Sequence, residues 1–231
     1  MARVTKANIE EMRELLLSWS VISGRHFPWR EKGLTDYEIV IAEVLLQRTK
    51  AETVAKFYLN FLKEFPSWYS IVKSDIEDVE NYLKPVGLYR QRASRLKKLA
   101  EEMLKREGVF PQDREDLESI PFLGQYIANA IELIIFNQPS PLVDVNMARV
   151  LERYFGNRKM ADIRYDPYLQ KLARLLVNHP SAKEVNWAVL DFAALICKAL
   201  KPACETCFLN KKCNYFRLEK VNKIVDINLG K

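Results

Sequence analysis

The stretch LESIPFLGQYIANAIELIIF, residues 117–136, decides the fold. A short helical segment ends at a Pro-x-x-Gly turn, and a second, apolar helix begins directly after it. Gly124 can adopt a conformation in which successive backbone N–H groups point outward, and the new helix adds its own unpaired N–H groups. Such a turn can bind phosphate without a basic side chain. Taken alone the pattern is weak evidence for binding, because most helical hairpins are only structural.

The rest of the chain has the same helical character. Ser74 and Glu77 have the spacing of a capping box before a helix. The sequence shows no strand alternation and no repeat of fixed period, and only 7 of its 231 residues are glycine. It therefore predicts an all-α protein. Besides the hairpin, amphipathic periodicity predicts helices at 8–20, two within 36–64, a basic one at 89–107 ending at Gly108, and others at about 146–155, 166–177 and 181–197.

Composition and charge narrow the class of protein. Hydrophobic residues make up 48% of the chain and charged residues 29%, so a buried core can form. The net charge of +6 fits a nucleic-acid partner without proving one. No apolar run approaches the roughly 18 residues that cross a bilayer, and the N-terminus lacks the apolar block of a signal peptide. We expect an intracellular monomer, cytoplasmic or associated with the nucleoid.

All four cysteines lie within seventeen residues, in CKALKPACETCFLNKKC at 197–213. In a reducing compartment such clustering indicates metal binding more often than disulfides. Zinc sites usually consist of two closely spaced pairs, whereas this segment has one close pair and two outliers. A cubane iron–sulfur cluster, whose corners lie further apart, fits at least as well, and the spacing leaves zinc open. The candidate ligands are Cys197, Cys204, Cys207 and Cys213.

Several stretches together resemble the helix-hairpin-helix DNA glycosylase superfamily. They are IPFLGQYIANA at 120–130, LVDVNMARV at 142–150 and the cysteine spacing, with FPWR at 27–30, IAEVLLQRT at 41–49, VGLYRQRA at 86–93 and VNWAVLDFAALIC at 185–197 in the family's order. The similarity is to the branch of endonuclease III and the adenine glycosylase of A/G mismatches. Within that branch the chain looks most like the archaeal-type thymine mismatch glycosylases.

The resemblance implies an all-α protein of two lobes. Residues 29–137 would form a six-helix barrel domain that includes the helix-hairpin-helix at about 113–136. Residues 1–28 plus 138–231 would form the second lobe, closed by a [4Fe-4S] cluster on the four cysteines. The active site would lie in the cleft between the lobes. The cluster would shape a small loop for DNA contact and perform no glycosidic chemistry.

Asp144 precedes a predicted helix, so by itself it is more readily interpreted as an N-cap. The resemblance places it on the family's essential aspartate. Breaking an N-glycosidic bond builds positive charge on the sugar, and a fixed carboxylate can stabilise that charge and guide the attacking water. Capping and catalysis can coexist in one carboxylate.

Two further side chains are catalytic candidates by resemblance. Tyr126 stands where bifunctional members have a lysine that forms a Schiff base with the sugar, which a phenol cannot do. We therefore expect a monofunctional enzyme, the alternative being that Tyr126 only packs on its helix. Glu43 interrupts an apolar helix face and, by periodicity, is at least as compatible with the solvent side. The resemblance places it on a carboxylate that adenine glycosylases use to protonate the base.

The resemblance also implies residues that contact DNA. Gln47, Arg48 and Leu88 fall where the family inserts side chains into the duplex while the target base is extruded. The alternatives are a surface arginine and a core leucine. The predicted hairpin contacts are Phe122, Leu123, Gly124 and Gln125. The basic helix either meets phosphate or is a solvated face, through Arg90, Arg92, Arg95, Lys97 and Lys98.

The sequence thus predicts a monofunctional glycosylase that hydrolyses thymine or uracil from positions opposite guanine in mismatched duplex DNA. Its partners would be that DNA and a downstream abasic-site endonuclease. The first alternative is an adenine glycosylase acting opposite guanine or 8-oxoguanine. Glu43 suits it, but those enzymes usually carry a further C-terminal domain. The second alternative is a damage-binding protein without catalysis, against which the presence of Asp144 argues.

Overall fold

A computed structural model describes residues 3–218, and within them the all-α prediction is confirmed, since that range contains no strand. Each helix of the sequence analysis is present. The α-helices are α1 Lys6–Ser23, α2 Asp36–Leu46, α3 Ala51–Glu64, α4 Trp68–Lys73, α5 Ile76–Leu83, α6 Tyr89–Lys105, α7 Arg114–Ser119, α8 Gln125–Ile134, α9 Val145–Phe155, α10 Pro167–Val177 and α11 Ala182–Leu195. Two 3-10 turns, Pro28–Arg30 and Lys84–Val86, lie before α2 and before α6.

Local hydrogen bonds decide where several of these helices begin. Thr35 and Glu38 form a reciprocal capping box at α2, in which the Thr35 N–H donates to the Glu38 carboxylate at 2.7 Å. The capping box predicted from Ser74 and Glu77 is wrong. Ser74 instead ends α4, where its hydroxyl donates to the Ser70 carbonyl at 2.7 Å, and α5 begins after Asp75.

The chain divides into two compact units. The continuous unit, His26–Phe136, contains α2 to α8. Its core is built around α2, which is buried on nearly all sides and packs against α3 and α8. At the centre of this core lie Ile41, Tyr58, Phe61, Leu96 and Ile127, each fully buried. The predicted barrel boundaries were residues 29 and 137, and the unit runs from 26 to 136.

The discontinuous unit consists of Met1–Arg25 and Asn137–Lys231. Its described helices α1, α9, α10 and α11 pack around Met12, Leu16, Leu151, Leu172 and Phe192. The α1 side chain of Arg13 is buried and donates to the carbonyls of the last turn of α10, at Leu175 and Leu176, both at 2.7 Å. Among the described residues of both units, no helix has the length and apolar character that a membrane crossing requires.

Candidate active site

The predicted hairpin is formed by α7, a tight turn and α8. Within the turn the Leu123 N–H donates to the Ile120 carbonyl and the Gly124 N–H to the Phe122 carbonyl, both at 3.1 Å. The residue with left-handed backbone is Phe122, with φ 75°, and Gly124 is extended, with φ −74° and ψ 173°. The turn is therefore made with left-handed backbone at Phe122 and not at the glycine.

Gly124 is the N-cap of α8, and it brings no side chain that could accept from the first turn. The first N–H groups of a helix have no intrahelical acceptor, so this end of α8 can donate to an external anion. A Cβ added at Gly124 would meet no atom within 4 Å. Neither the backbone conformation nor packing inside the protein therefore requires glycine here. A ligand that closely approaches this backbone from outside would explain the glycine.

A network around Arg114 fixes the two hairpin helices against each other. From α7 the guanidinium donates to Asn129 of α8 at 2.8 Å and pairs with Glu132 of α8 at 2.9 Å. It also pairs with Glu118 on its own helix at 2.6 Å. Of the predicted hairpin contacts, Leu123 is buried in the core, so only its backbone is available to a ligand. Phe122 is half-buried beneath the guanidinium of Arg95, which lies 5.1 Å from the ring centroid.

Two candidates for the chemistry, Tyr126 and Glu43, lie in the same unit on helices that pack together, α8 and α2. Tyr126 is half-buried against the core of that unit. Glu43 is only 5% exposed, so the interpretation as a solvent-facing residue is wrong. Its negative charge contributes, after burial and the charge of Glu38, to raising the pKa of Tyr58 well above the usual value.

The predicted insertion residues lie in two loops of the continuous unit. Arg48 follows α2 and Leu88 precedes α6, and both have left-handed backbone, with φ 58° and 51°. Such a conformation is unfavourable for a side-chain-bearing residue by about 1–2 kcal/mol, and it is common at functional sites. Arg48 is exposed and Leu88 is 49% exposed, so the interpretation of Leu88 as a core leucine is wrong. Gln47, the C-cap of α2, is half-buried.

The basic helix α6 does not present all of its cations to solvent. Arg92 is buried, and Lys97 is half-buried with its amine donating to the carbonyls of Val72, at 3.0 Å, and Ser74. These two side chains are therefore unavailable to DNA phosphate, contrary to the expectation. Exposed basic side chains remain on the helix at Arg90, Arg95 and Lys98.

Asp144 lies in the discontinuous unit and is the N-cap of α9, as its position in the sequence predicts. One carboxylate oxygen, Oδ1, accepts from the backbone N–H groups of Asn146 and Met147 at 2.9 and 2.8 Å. The other oxygen, Oδ2, accepts from the Asn146 side-chain amide at 2.5 Å. These hydrogen bonds hold a half-buried carboxylate in one orientation at the positive end of a helix.

The polar side of α9 connects Asp144 to the cysteine segment. The Arg149 guanidinium donates to the Asn146 side-chain oxygen at 3.1 Å and to the Cys197 carbonyl at 2.9 Å. One turn later, Arg153 donates to the Lys198 and Ala199 carbonyls at 2.7 and 2.9 Å. These arginines were not among the residues predicted from the sequence. Their spacing of four residues after a capping aspartate is the signal that could have indicated them, because it places both on one face of α9.

The four cysteines line one pocket of the discontinuous unit. It holds about 400 Å³ of space, part of it open to solvent, and its other walls are mostly apolar, with Phe192 and Leu209 among them. The Arg153 guanidinium lies 3.5 Å from the Cys197 sulfur. Burial raises the pKa of the Cys207 thiol to about 11, and the neighbouring cysteines act in the same direction. Within residues 3–218, no three or more Cys, His, Asp and Glu side chains are arranged to hold one metal ion.

The lysines beside the cysteines have different surroundings. Lys198, Lys201 and Lys211 are exposed. Lys212 is instead paired with Glu11 of α1 and donates to the Asn8 side chain at 3.2 Å. The segment is thus tied to α1 as well as to α9.

Comparisons with known proteins agree with this fold. Residues 41–174 match the family described as HhH-GPD superfamily base excision DNA repair protein. The thymine/uracil-DNA glycosylase of Pyrobaculum aerophilum is 36% identical over 90% of this chain and 92% of its own. The adenine DNA glycosylase of Arabidopsis thaliana is 28% identical over 94% of this chain and 39% of its own.

A solved structure titled as a thermostable thymine-DNA glycosylase superposes with a TM-score of 0.83 at 32% identity, covering 90% of this chain and 96% of that one. The family match spans more than half of the 231 residues and includes Glu43, the hairpin and Asp144. The chain therefore belongs to the HhH-GPD superfamily of base excision DNA repair proteins and is an enzyme of the DNA glycosylase class.

Proposed function

We propose that the protein is a monofunctional glycosylase that removes thymine or uracil opposite guanine from mismatched duplex DNA. The observation that carries the proposal is the Asp144 carboxylate, held by three hydrogen bonds at the start of α9 in a chain whose similar relatives include a thymine/uracil-DNA glycosylase. The product would be an abasic site, which an abasic-site endonuclease would then process.

Asp144 is suited to stabilise a sugar cation. As the glycosidic bond breaks, positive charge develops on the sugar, and a carboxylate with a fixed orientation can stabilise that charge without reorganising. The same carboxylate can orient a water molecule for attack on the sugar and accept its proton. Both oxygens of Asp144 already have hydrogen-bond donors inside the protein, which supports a role in fixed electrostatic stabilisation.

Tyr126 supports a monofunctional reaction. It is on the second hairpin helix, in the motif where bifunctional relatives have their lysine, and a phenol cannot form the Schiff base that leads to strand cleavage. The nucleophile would therefore be water. Because Tyr126 is half-buried, part of the ring packs on the core while the rest can face the extruded base.

A buried carboxyl group such as Glu43 can act as an acid or as a hydrogen-bond partner for the excised base. This residue also favours the second candidate function, an adenine glycosylase, since adenine leaves more readily when its ring is protonated. The lower identity to the adenine enzyme supports thymine or uracil as the first assignment.

We further propose that the four-cysteine segment holds a [4Fe-4S] cluster. Cys197, Cys204, Cys207 and Cys213 line one pocket, and thiolates are the ligands that iron–sulfur clusters require. The largely apolar walls and the Arg153 guanidinium beside Cys197 suit a buried cluster of negative charge. When bound, the cluster would cross-link the segment and keep it folded. A zinc ion on the same thiolates is the alternative.

The DNA would be bound through backbone and side chains of the continuous unit. The N–H groups of the first turn of α8 would contact a phosphate, with Gly124 permitting its close approach. Arg48 and Leu88 are exposed, and each has left-handed backbone in its loop. They would enter the duplex beside the extruded base, with the half-buried Gln47 next to Arg48.

Single-turnover base release tests these proposals. Labelled duplexes containing G·T, G·U or 8-oxoguanine·A would be incubated with excess protein and developed with and without alkali. We expect breaks from G·T and G·U that appear only after alkali. Release from the adenine duplex alone would assign the protein to the adenine enzymes, and breaks without alkali would refute the monofunctional mechanism. Iron and zinc analysis of the purified protein would distinguish the two metal centres.

A further inference from the structure

Arg92 of α6 joins the two loops that carry Arg48 and Leu88. It is only 4% exposed, and its guanidinium makes four hydrogen bonds. Nη1 donates to the carbonyls of Val86 and Gly87, both at 3.0 Å. Nη2 donates to the Gln47 carbonyl at 2.8 Å and to the Thr49 hydroxyl at 3.0 Å.

These acceptors flank the two left-handed residues. Gln47 and Thr49 stand on either side of Arg48, and Gly87 immediately precedes Leu88. The Thr49 hydroxyl also donates to the Val86 carbonyl at 3.2 Å, which closes a direct link between the loops. Left-handed backbone at such residues persists only where surrounding contacts enforce it. The guanidinium supplies those contacts at both places simultaneously.

An arginine is well suited to this link. Its planar group offers five N–H donors in a fixed fork, so one side chain can bind both loops at a set distance and angle. A buried cation is unfavourable unless it is well hydrogen-bonded. Within residues 3–218, the hydrogen bonds of Arg92 end on neutral carbonyl and hydroxyl oxygens, so it does not serve as half of an ion pair there.

We propose that Arg92 is a positioning residue that fixes residues 47–49 and 86–88 as one rigid wedge, so that Arg48 and Leu88 enter the duplex together. The inference rests on the proposed function, because it concerns the step in which the target base leaves the helix. A wedge that is ordered before binding loses less conformational entropy when it fills the gap left by the base. Arg92 would therefore promote base extrusion while contacting neither DNA nor the reacting atoms.

The test compares Arg92→Met with Lys97→Met. Both are on α6, and both remove a buried or half-buried cation that donates to backbone carbonyls, but Lys97 holds residues 72 and 74, away from the wedge. Arg92→Lys is added because lysine keeps the charge and some of the hydrogen bonds, and it provides a second variant if Arg92→Met folds poorly. Circular dichroism and thermal unfolding would establish that each variant is folded.

Two readouts separate positioning from general damage. The first is the single-turnover rate at saturating protein, measured on a G·T duplex and on a duplex in which the same thymine lies opposite an abasic site and is already poorly stacked. We expect Arg92→Met to lower this rate about 100-fold on the G·T duplex, as for a misplaced positioning group, and much less on the abasic-site duplex. Lys97→Met should change both by less than about threefold, the effect of a substitution away from the site. Arg92→Lys should recover part of the loss.

The second readout does not need catalysis. A 2-aminopurine beside the mismatch gains fluorescence when its neighbour is unstacked, so binding of wild type and Lys97→Met should raise the signal and binding of Arg92→Met should not. Equal rate losses on both substrates, or a rise in fluorescence with Arg92→Met as large as that with wild type, would overturn the positioning role. Wild-type protein that raises fluorescence but releases no base would refute the proposed function and leave the Arg92 inference standing. Wild-type protein that never raises fluorescence would overturn the wedge itself.

Discussion

Replacing Gly124 by alanine separates what the hairpin needs to fold from what it needs to bind DNA. The backbone there is extended, which any residue tolerates, and an added Cβ meets no atom within 4 Å. Alanine stabilises by about 0.4–1 kcal/mol because it restricts the unfolded chain. It is a poorer N-cap than glycine by about the same amount. We therefore expect the free energy of unfolding to change by less than about 1 kcal/mol, and the melting temperature by less than about 4 °C.

Binding should respond very differently. The added methyl group stands beside the N–H groups of the first turn of α8, where a phosphate would approach. Losing one hydrogen bond to a charged oxygen corresponds to about 1.5–3 kcal/mol. The dissociation constant for mismatched duplex should then rise by about 10- to 150-fold, since 1.4 kcal/mol is tenfold. Gly124→Ser adds a side-chain cap that wild type lacks but has the same Cβ as alanine, so it should be at least as stable as wild type and still bind weakly.

Fluorescence anisotropy at one fixed salt concentration, together with thermal unfolding, measures both quantities. Gly156→Ala is the matched control. That glycine has φ 120° and ψ 162°, a region essentially restricted to glycine, so alanine should destabilise the fold by about 1–3 kcal/mol while leaving the DNA affinity of the folded protein unchanged. If Gly124→Ala binds mismatched DNA as tightly as wild type, phosphate does not approach this turn. If the melting temperature of Gly124→Ala lies far below that of wild type, the open surroundings assigned to Gly124 are wrong.

Three further outcomes follow from the site. Asp144→Asn should keep the wild-type melting temperature, because asparagine caps helices as well as aspartate does. Its single-turnover rate should fall by about 10²–10³-fold or more. A retained rate would remove Asp144 from the mechanism. Borohydride added during turnover should trap no covalent protein–DNA adduct, because Tyr126 cannot form a Schiff base, and a trapped adduct would reveal an amine nucleophile. Cys207→Ser should lose bound iron and the visible absorbance of an iron–sulfur centre. Wild-type protein that contains zinc instead of iron would refute the proposed iron–sulfur cluster.

Local signals in the sequence were sufficient for the helices and for some of their ends. Asp144 was expected to cap α9 because a short carboxylate before an amphipathic run satisfies free N–H groups, and it does. The same reasoning failed at Ser74, because the Ser70 carbonyl accepts its hydroxyl and Asp75 takes the cap position instead. A capping pattern identifies a helix start only when no neighbouring group competes for it.

Burial could not be read from the sequence where several elements decide it. Amphipathic periodicity could not predict the burial of Glu43, because α2 is covered on nearly all sides and has little solvent-exposed face. Phe122 has the left-handed backbone because Ile120 and Leu123 both enter the core, and the chain must turn between them. Arg92 is one of six basic residues on α6, and only the positions of the two loops show that it points inward.

Helix α9 carries both the proposed catalytic carboxylate and the arginines that anchor the cysteine segment. The Asn146 side-chain amide donates a hydrogen bond to the Asp144 carboxylate. The Arg149 guanidinium in turn donates to the Asn146 side-chain oxygen and to the Cys197 carbonyl. If the segment served only to contact DNA, disturbing it would weaken binding and leave the rate at saturating protein unchanged. Because the hydrogen bonds run on to Asp144, we expect Arg149→Met to lower that saturated rate as well. Exposed Lys201→Ala should affect binding alone, and a normal saturated rate for Arg149→Met would confine the segment to a DNA-contact role.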